Sequence, residues 1–116
     1  MSEPKRYIYE FGDFRLDAAR RLLFGRDGAA VSLTPKALDT LIYLVERSGA
    51  VLDKDELMRA VWPDTIVEEN NLSQCISALR RALGEKPGHH RYVVTMPGRG
   101  FCFVAAKWRT SVERRG

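Results

Sequence analysis

The sequence has little of what disulfide-rich, metal-binding and membrane proteins require. Its 116 residues include two cysteines and two histidines, without a Cys-x-x-Cys or His-x₃-His spacing, so we expect no disulfide and no zinc site at Cys75, Cys102, His89 and His90. No apolar run approaches the roughly 20 residues of a membrane helix, and no signal-peptide segment follows Met1. These absences predict one cytoplasmic domain, without membrane contact in this segment.

Enzyme signatures are also missing. The chain has neither a Gly-x-x-x-x-Gly-Lys phosphate loop nor a Gly-x-Ser-x-Gly nucleophile turn. Asp64, Glu68 and Glu69 fall in a predicted loop without a partner that would poise them for proton transfer. We therefore expect no catalytic residue, no metal and no cofactor.

Charge is unevenly distributed along the chain. Residues 1–69 carry 10 Lys and Arg against 13 Asp and Glu, whereas residues 70–116 carry nine against two, within a net charge of +4. A positive field over the second half would attract phosphate groups. A solvated basic tail would give the same charge, so the local pattern has to decide between these interpretations.

The pattern of elements predicts an α+β domain. Residues 7–11, 14–16, 22–24 and 30–33 form short apolar runs separated by turn signals, which predicts an N-terminal four-stranded antiparallel sheet, with Asp27-Gly28 as the clearest turn. Two helices should follow, capped by Thr34 before Pro35 and by Asp53 with Glu56. We expect the first to bury Leu38, Leu41, Ile42 and Val45 and the second Leu57, Ala60 and Val61. The domain would span residues 1–106, and residues 107–116 would be a polar tail or linker.

A third helix and a closing hairpin carry the most informative pattern. Asn71 and Gln74 predict the helix start through a reciprocal cap, and Gly84 marks its end. At about 100° per residue, Leu72, Ile76, Leu79 and Leu83 share one side. The opposite side presents Asn70, Gln74, Ser77, Ala78 and Arg81, with Ser73 and Arg80 on the flanks. Apolar strands at 91–96 and 101–104 then enclose the turn Pro97-Gly98-Arg99-Gly100.

These exposed groups suit DNA. Asn and Gln match adenine in the major groove, Arg matches guanine, and Ser serves either base. Gln74 and Ser77 are predicted to reach base edges, Arg80 to hold phosphate and Arg81 to do either. Gly98 and Gly100 would let a backbone approach the turn, where Arg99 offers charge to a narrow groove. The polar helix face alone could be a solvated surface, and the turn alone could be an ordinary glycine turn. Because the two lie next to each other along the chain, together they favour a recognition helix and a wing.

The order and spacing of these residues resemble the OmpR/PhoB-type winged helix-turn-helix domain, from about Phe11 to Phe103. Within that family the chain is more similar to the branch of CadC- and ToxR-like activators than to typical two-component effectors. The similarity lies in its Glu68–Ser73 stretch and its Pro-Gly-Arg-Gly turn. The matching segments are Leu33-Thr34-Pro35, Leu52-Asp53-Lys54-Asp55-Glu56-Leu57, Val61-Trp62-Pro63, Leu72 to Arg80, and Thr95 to Phe101.

The resemblance implies promoter binding and transcription regulation, with the third helix (about 70–83) in the major groove and the hairpin wing (about 92–104) on the adjacent minor groove or backbone. It also implies tandem binding to direct repeats by a protein that is monomeric in isolation, and RNA polymerase contact by the loop containing Asp64, Glu68 and Glu69. The family's DNA-contacting positions carry over to Asn71, Gln74, Ser77, Ala78, Arg80, Thr95 and Arg99.

The chain departs from the family at two points. Cys75, Ser77 and Ala78 stand where PhoB relatives often have basic or histidine side chains, which changes the expected target sequence. The domain also starts within the first ten residues, so we expect no phosphorelay receiver before it. A membrane anchor would have to come from sequence beyond Gly116.

Two other functions fit parts of the pattern. A winged helix that has lost DNA binding could use the acidic loop or the sheet to bind protein, although its third helix should then carry aromatic or Met anchors. Binding of structured RNA would have to use shape or single-stranded loops, because the deep groove of A-form RNA excludes a helix.

Overall fold

The computed structural model describes residues 6–85 and 91–112. Two compact units are present, one from the described parts of Met1–Ser32 and Ala106–Gly116, the other from those of Leu33–Ala105. The elements in chain order are β1 Arg6–Phe11, β2 Phe14–Asp17, β3 Leu22–Phe24, α1 Pro35–Glu46, α2 Lys54–Val61, α3 Glu69–Ala82, β4 Val93–Met96, β5 Gly100–Phe103 and β6 Trp108–Val112.

The first unit is a four-stranded antiparallel sheet in the order β3-β2-β1-β6. Tyr9, Leu16 and Leu23 are opposite one another on neighbouring strands and are all buried. Cross-strand partners point to the same face of a sheet, so the three side chains share one face. Lys107 and Arg109 place their cations over the rings of Tyr9 and Tyr7, 4.8 and 4.6 Å from the centroids. Burial of Tyr9, Leu16 and Leu23 and the two cation–π contacts therefore both stabilise this sheet.

The fourth strand differs from the sequence prediction. Residues 30–33 form no strand, and Ala30 makes a single bridge with Phe24 after the predicted turn, where Gly28 has φ +81°. The fourth strand of the sheet is instead β6, which pairs with β1, so the prediction of a polar tail was wrong for residues 108–112. Trp108, Thr110 and Val112 alternate with polar residues as β-formers do, and that period-2 signal was overlooked.

In the second unit, α1 and α2 begin where their caps predict. Thr34 Oγ1 accepts from the Ala37 amide at 3.2 Å, and Asp53 Oδ1 accepts from the Glu56 amide at 2.7 Å. The Glu56 side chain does not complete the capping box, because it accepts a 2.8 Å hydrogen bond from the Tyr43 hydroxyl. That bond, followed by burial, raises the pKa of Tyr43, and the contact ties α1 to α2.

The buried faces of these helices match the prediction in part: Leu44 is buried although it was not predicted, and Ile42 and Ala60 are more exposed than predicted. Leu38, Leu41, Leu44 and Val45 of α1 and Leu57 and Val61 of α2 are buried. Ile42 is half-buried. Ala60, predicted to be buried, is exposed, because it lies about 60° around the helix from Leu57 and about 100° from Val61.

Helix α3 begins three residues earlier than the predicted cap at Asn71 implies. Glu68 is its N-cap residue and makes no side-chain cap bond, while Asn71 Nδ2 donates to the Glu68 carbonyl at 3.3 Å. The predicted reciprocal cap of Asn71 and Gln74 is therefore wrong. Gly84 follows the helix with φ +75°, as expected for a residue that ends one.

The β4–β5 hairpin is joined to the segment between α1 and α2. Leu52 and Phe101 exchange backbone hydrogen bonds of 2.8 and 2.9 Å, and the Gly49 amide donates to the Phe103 carbonyl at 2.9 Å. Gly100 lies at this junction with φ +142°, and a Cβ there would be 2.0 Å from the Leu52 carbonyl oxygen. Only glycine fits that approach. Among the described residues no helix combines the length and the apolar character needed to cross a membrane.

Candidate nucleic-acid interface

Helix α3 hides its leucine side and exposes its amide side. Leu72, Ile76, Leu79 and Leu83 are at most 4% exposed, as predicted. The opposite side forms a shallow concavity lined by Asn70, Ser73, Gln74, Ser77, Ala78 and Arg81. Ala78 is half-buried and the other five are exposed. The six residues line one accessible surface, which we call the reading face.

Cys75 is excluded from this face. It is buried on the side of α3 that faces Thr40 of α1. Burial raises the pKa of the Cys75 thiol, against a smaller lowering by its hydrogen bond with Thr40. The thiol is therefore protonated at neutral pH and is a packing group.

Arg80, predicted on a flank of the outward face, makes its hydrogen bonds to β4. Its side chain is 20% exposed, and Nε and Nη2 donate to the Val93 carbonyl at 3.3 and 3.1 Å. Nη2 also donates to Thr95 Oγ1 at 2.7 Å. Burial lowers the pKa of Arg80, which the nearby Glu85 carboxylate opposes. The guanidinium is thus engaged between α3 and β4.

Glu85 completes this network and was missed by the sequence analysis. Its side chain is 1% exposed, Oε2 is 3.9 Å from Arg80 Nε, and Oε1 accepts from the backbone amides of Tyr92 and Val93. A carboxylate that is buried this deeply needs a cation and amide donors. We call Arg80, Glu85 and Thr95 the α3–β4 clamp, because together they hold the wing strand against the recognition helix.

The wing turn leaves Arg99 exposed, as predicted. Pro97 and Gly98 are its central residues, Gly98 has φ +72°, and the Arg99 amide donates to the Met96 carbonyl at 2.9 Å, as a type II turn requires. No atom would approach within 4 Å of a Cβ at Gly98, in contrast to Gly100. The two glycines therefore differ, because Gly98 leaves open space at the turn and Gly100 accommodates Leu52.

The loop before α3 combines acidic and apolar groups. Asp64 and Glu68 are exposed, whereas Glu69 is ion-paired with Lys54. Ile66 is fully exposed, and with Trp62 and Val67 it lines an open groove, together with Asp55, Met58, Arg59, Pro63, Asp64 and Thr65. Trp62 is half-buried beside Lys36, whose Nζ is 6.0 Å from the ring centroid. The exposed isoleucine was not foreseen.

No group of three or more metal-ligating side chains occurs in residues 6–85 and 91–112. His89 and His90 lie outside that part of the chain, as do Arg114 and Arg115 of the predicted tail.

Comparison with known proteins identifies relatives over most of the chain. It is 39% identical to the transcriptional regulator HilA of Salmonella typhimurium over 95 residues, 82% of this chain and 17% of HilA. It is 36% identical to the transcriptional activator CadC of Escherichia coli over 90 residues, 76% of this chain and 18% of CadC. The chain therefore spans less than a fifth of either relative.

Solved structures show the same fold. The DNA-binding domain of E. coli CadC matches with a TM-score of 0.75 and 28% identity, over 93% of this chain and 98% of that domain. DrrB, an OmpR/PhoB homologue of Thermotoga maritima, matches with a TM-score of 0.76 and 29% identity, over 84% of this chain and 44% of DrrB.

A family model described as "Transcriptional regulatory protein, C terminal" matches residues 28–103. That segment includes the three helices, the reading face and the wing. The α+β winged helix-turn-helix architecture predicted from sequence is confirmed. The chain belongs to the family of transcriptional regulatory C-terminal domains, the OmpR/PhoB-type winged-helix DNA-binding domains of transcription regulators.

Proposed function

We propose that this chain binds double-stranded promoter DNA with α3 in the major groove and the β4–β5 hairpin on the neighbouring minor groove or backbone. The observation that supports this most strongly is the reading face, which is exposed, free of acidic residues and joined to the wing through the α3–β4 clamp. Amides, hydroxyls and one guanidinium on such a face can pair with base edges. Because bacterial promoter DNA lies in the cytoplasm, the domain would bind it there.

Each predicted contact has a defined role in this proposal. Gln74, Ser77 and Ala78 face the bases and Arg81 faces a base or phosphate. Asn70, Asn71 and Ser73 lie in the first turns of α3, where the helix dipole favours phosphate. Thr95 accepts from Arg80, so its own hydroxyl hydrogen can be donated to phosphate. Arg80 contributes through the clamp rather than through a phosphate contact of its own.

Arg99→Gln tests the role of the wing. Removing one cation that neutralises a phosphate should weaken binding and lower the slope of log K against log[salt] by about 1. The measurement is a titration of a duplex selected by the protein, repeated at several salt concentrations. Arg26→Gln makes the same charge change in the exposed β3 turn and should leave the slope unchanged. Equal slopes for Arg99→Gln and the unsubstituted chain would contradict a contact between the wing and a DNA phosphate.

RNA polymerase is the partner we propose for the loop of Asp64, Glu68 and Glu69. The exposed Ile66 beside Asp64 offers an apolar anchor with an acidic rim, a combination that suits a partner carrying an apolar group among cations. Glu69 would contribute less, because its carboxylate is already ion-paired with Lys54.

Ile66→Ala tests that contact in a full-length regulator carrying this domain. We expect unchanged affinity for DNA and at least a several-fold loss of transcription from the target promoter, because one buried apolar anchor is lost. Leu22→Ala, which shortens an exposed apolar side chain of β3 outside the groove, is the control. Full transcription by Ile66→Ala would contradict the proposed contact.

We also propose that the chain is a monomer in isolation and occupies direct repeats in tandem. Duplexes containing one or two copies of the selected site should give one and two retarded species in a gel-shift titration. A single species on both duplexes would contradict tandem occupancy.

A further inference from the structure

We propose that the DNA half-site of this domain has an A·T-rich centre read by Gln74 and Ala78, and a G·C pair about three base pairs away read by Arg81. This proposal rests on the proposed function and assigns the bases at that interface. It follows from the side chains that are exposed on the reading face and from the absence of Arg80 and Cys75 from that face.

The centre of the reading face contains no cation. Arg80, on a flank of this face, could have brought a guanidinium to its centre, but its contacts with Val93 and Thr95 hold it at β4. Cys75 is buried as well. From Asn70 to Ala78, the accessible side chains are therefore amides, serine hydroxyls and one methyl group.

These groups differ in the bases they accept. An amide can pair with both N6 and N7 of adenine, and the methyl group of Ala78 can pack on the methyl group of thymine. A guanine at this position would present two acceptors, which a guanidinium satisfies better than an amide. Cytosine presents a donor that is best met by a carboxylate, and the reading face has none. The small side chains of Ser73, Ser77 and Ala78 let the helix approach the base edges closely.

Arg81 is placed to read a different base pair from Gln74. The two are seven residues apart, which returns to nearly the same side of the helix after about 10 Å of rise. Base pairs are stacked at about 3.4 Å, so that rise corresponds to about three base pairs along the groove. Arg81 is exposed and can pair with O6 and N7 of guanine. The stripe Asn70, Gln74, Ser77 and Arg81 thus predicts an ordered preference, with adenine first and guanine beyond it.

The experiment is selection of bound duplexes from a randomised pool at fixed salt, with the unsubstituted chain and the three variants Gln74→Ala, Arg81→Ala and Arg80→Gln. The unsubstituted chain should enrich A·T pairs at the centre and one G·C pair about three base pairs away. Gln74→Ala should relax the preference at the adenine position alone, with about 10-fold weaker binding to the selected site. Arg81→Ala should relax the guanine position alone, so each variant is the control for the other.

Three outcomes would overturn the proposal. Enrichment of G·C pairs at the positions that respond to Gln74→Ala would show that the amide does not read adenine. Loss of the guanine preference in Arg80→Gln, with Arg81→Ala unchanged, would assign that base to the clamp arginine. Absence of salt-dependent binding to any duplex would remove the proposed function itself, and with it this assignment.

Discussion

Gly100→Ala is expected to destabilise the domain more than any other single methyl addition in the wing. The new Cβ would lie 2.0 Å from the Leu52 carbonyl oxygen and 2.7 Å from Asp53 Cα, both backbone atoms, at a φ of +142°. Relief of that overlap requires separation of Leu52 from Phe101 and loss of their two hydrogen bonds. We expect a loss of about 3 kcal/mol in the free energy of unfolding, about 10 °C or more in Tm.

Gly98→Ala provides the matched comparison in the same turn. Its φ of +72° costs a side chain about 1 kcal/mol, but the space around its Cβ is open. Urea unfolding of both variants measures the difference. If Gly100→Ala lost no more stability than Gly98→Ala, the overlap with Leu52 would be relieved without loss of the hydrogen bonds between Leu52 and Phe101.

Arg80→Ala is the second change with a large expected effect. It removes the cation beside a carboxylate that is 1% exposed and removes both donors to the Val93 carbonyl. Breaking one side of a buried charged network costs about 3 kcal/mol or more. The free energy of unfolding should fall by that amount, and hydrogen exchange of the β4 amides should accelerate beyond the global effect.

Two further variants make the Arg80 result specific. Arg81→Ala removes an exposed arginine one residue away and should change stability by less than about 0.5 kcal/mol. Adding Glu85→Gln to Arg80→Ala should recover part of the loss, because no buried charge then remains, while the new amide oxygen still accepts from Tyr92. Equal stabilities of Arg80→Ala and Arg81→Ala would show that the clamp does not stabilise the fold.

The features that the sequence predicted correctly depend on local chemistry. Thr34 and Asp53 cap their helices through bonds to amides three residues on, so residue type and spacing suffice to place both starts. The inward leucines of α3 follow from helical periodicity alone. Arg99 at the turn follows from the preceding Pro-Gly pair.

The features that were missed depend on distant partners. β6 pairs with a strand about 100 residues away, so the alternation of its residues can indicate a strand but cannot show which strand it pairs with. Arg80 near the end of α3 and Glu85 just after it look like surface charges until β4 packs beside them, since neither type is usually buried. Gly100 shows the same effect, because its close neighbour is Leu52, about 50 residues earlier in the chain.

The pairing of β1 with β6 also determines how this domain would respond to mechanical load. Arg6 stands opposite Val112, so the chain enters and leaves the ladder at the same corner. A pull applied through segments on both sides would open that ladder like a zipper, one rung at a time, instead of shearing all its rungs together. Tension would therefore release β6 first and uncover a bare strand edge that can recruit another chain.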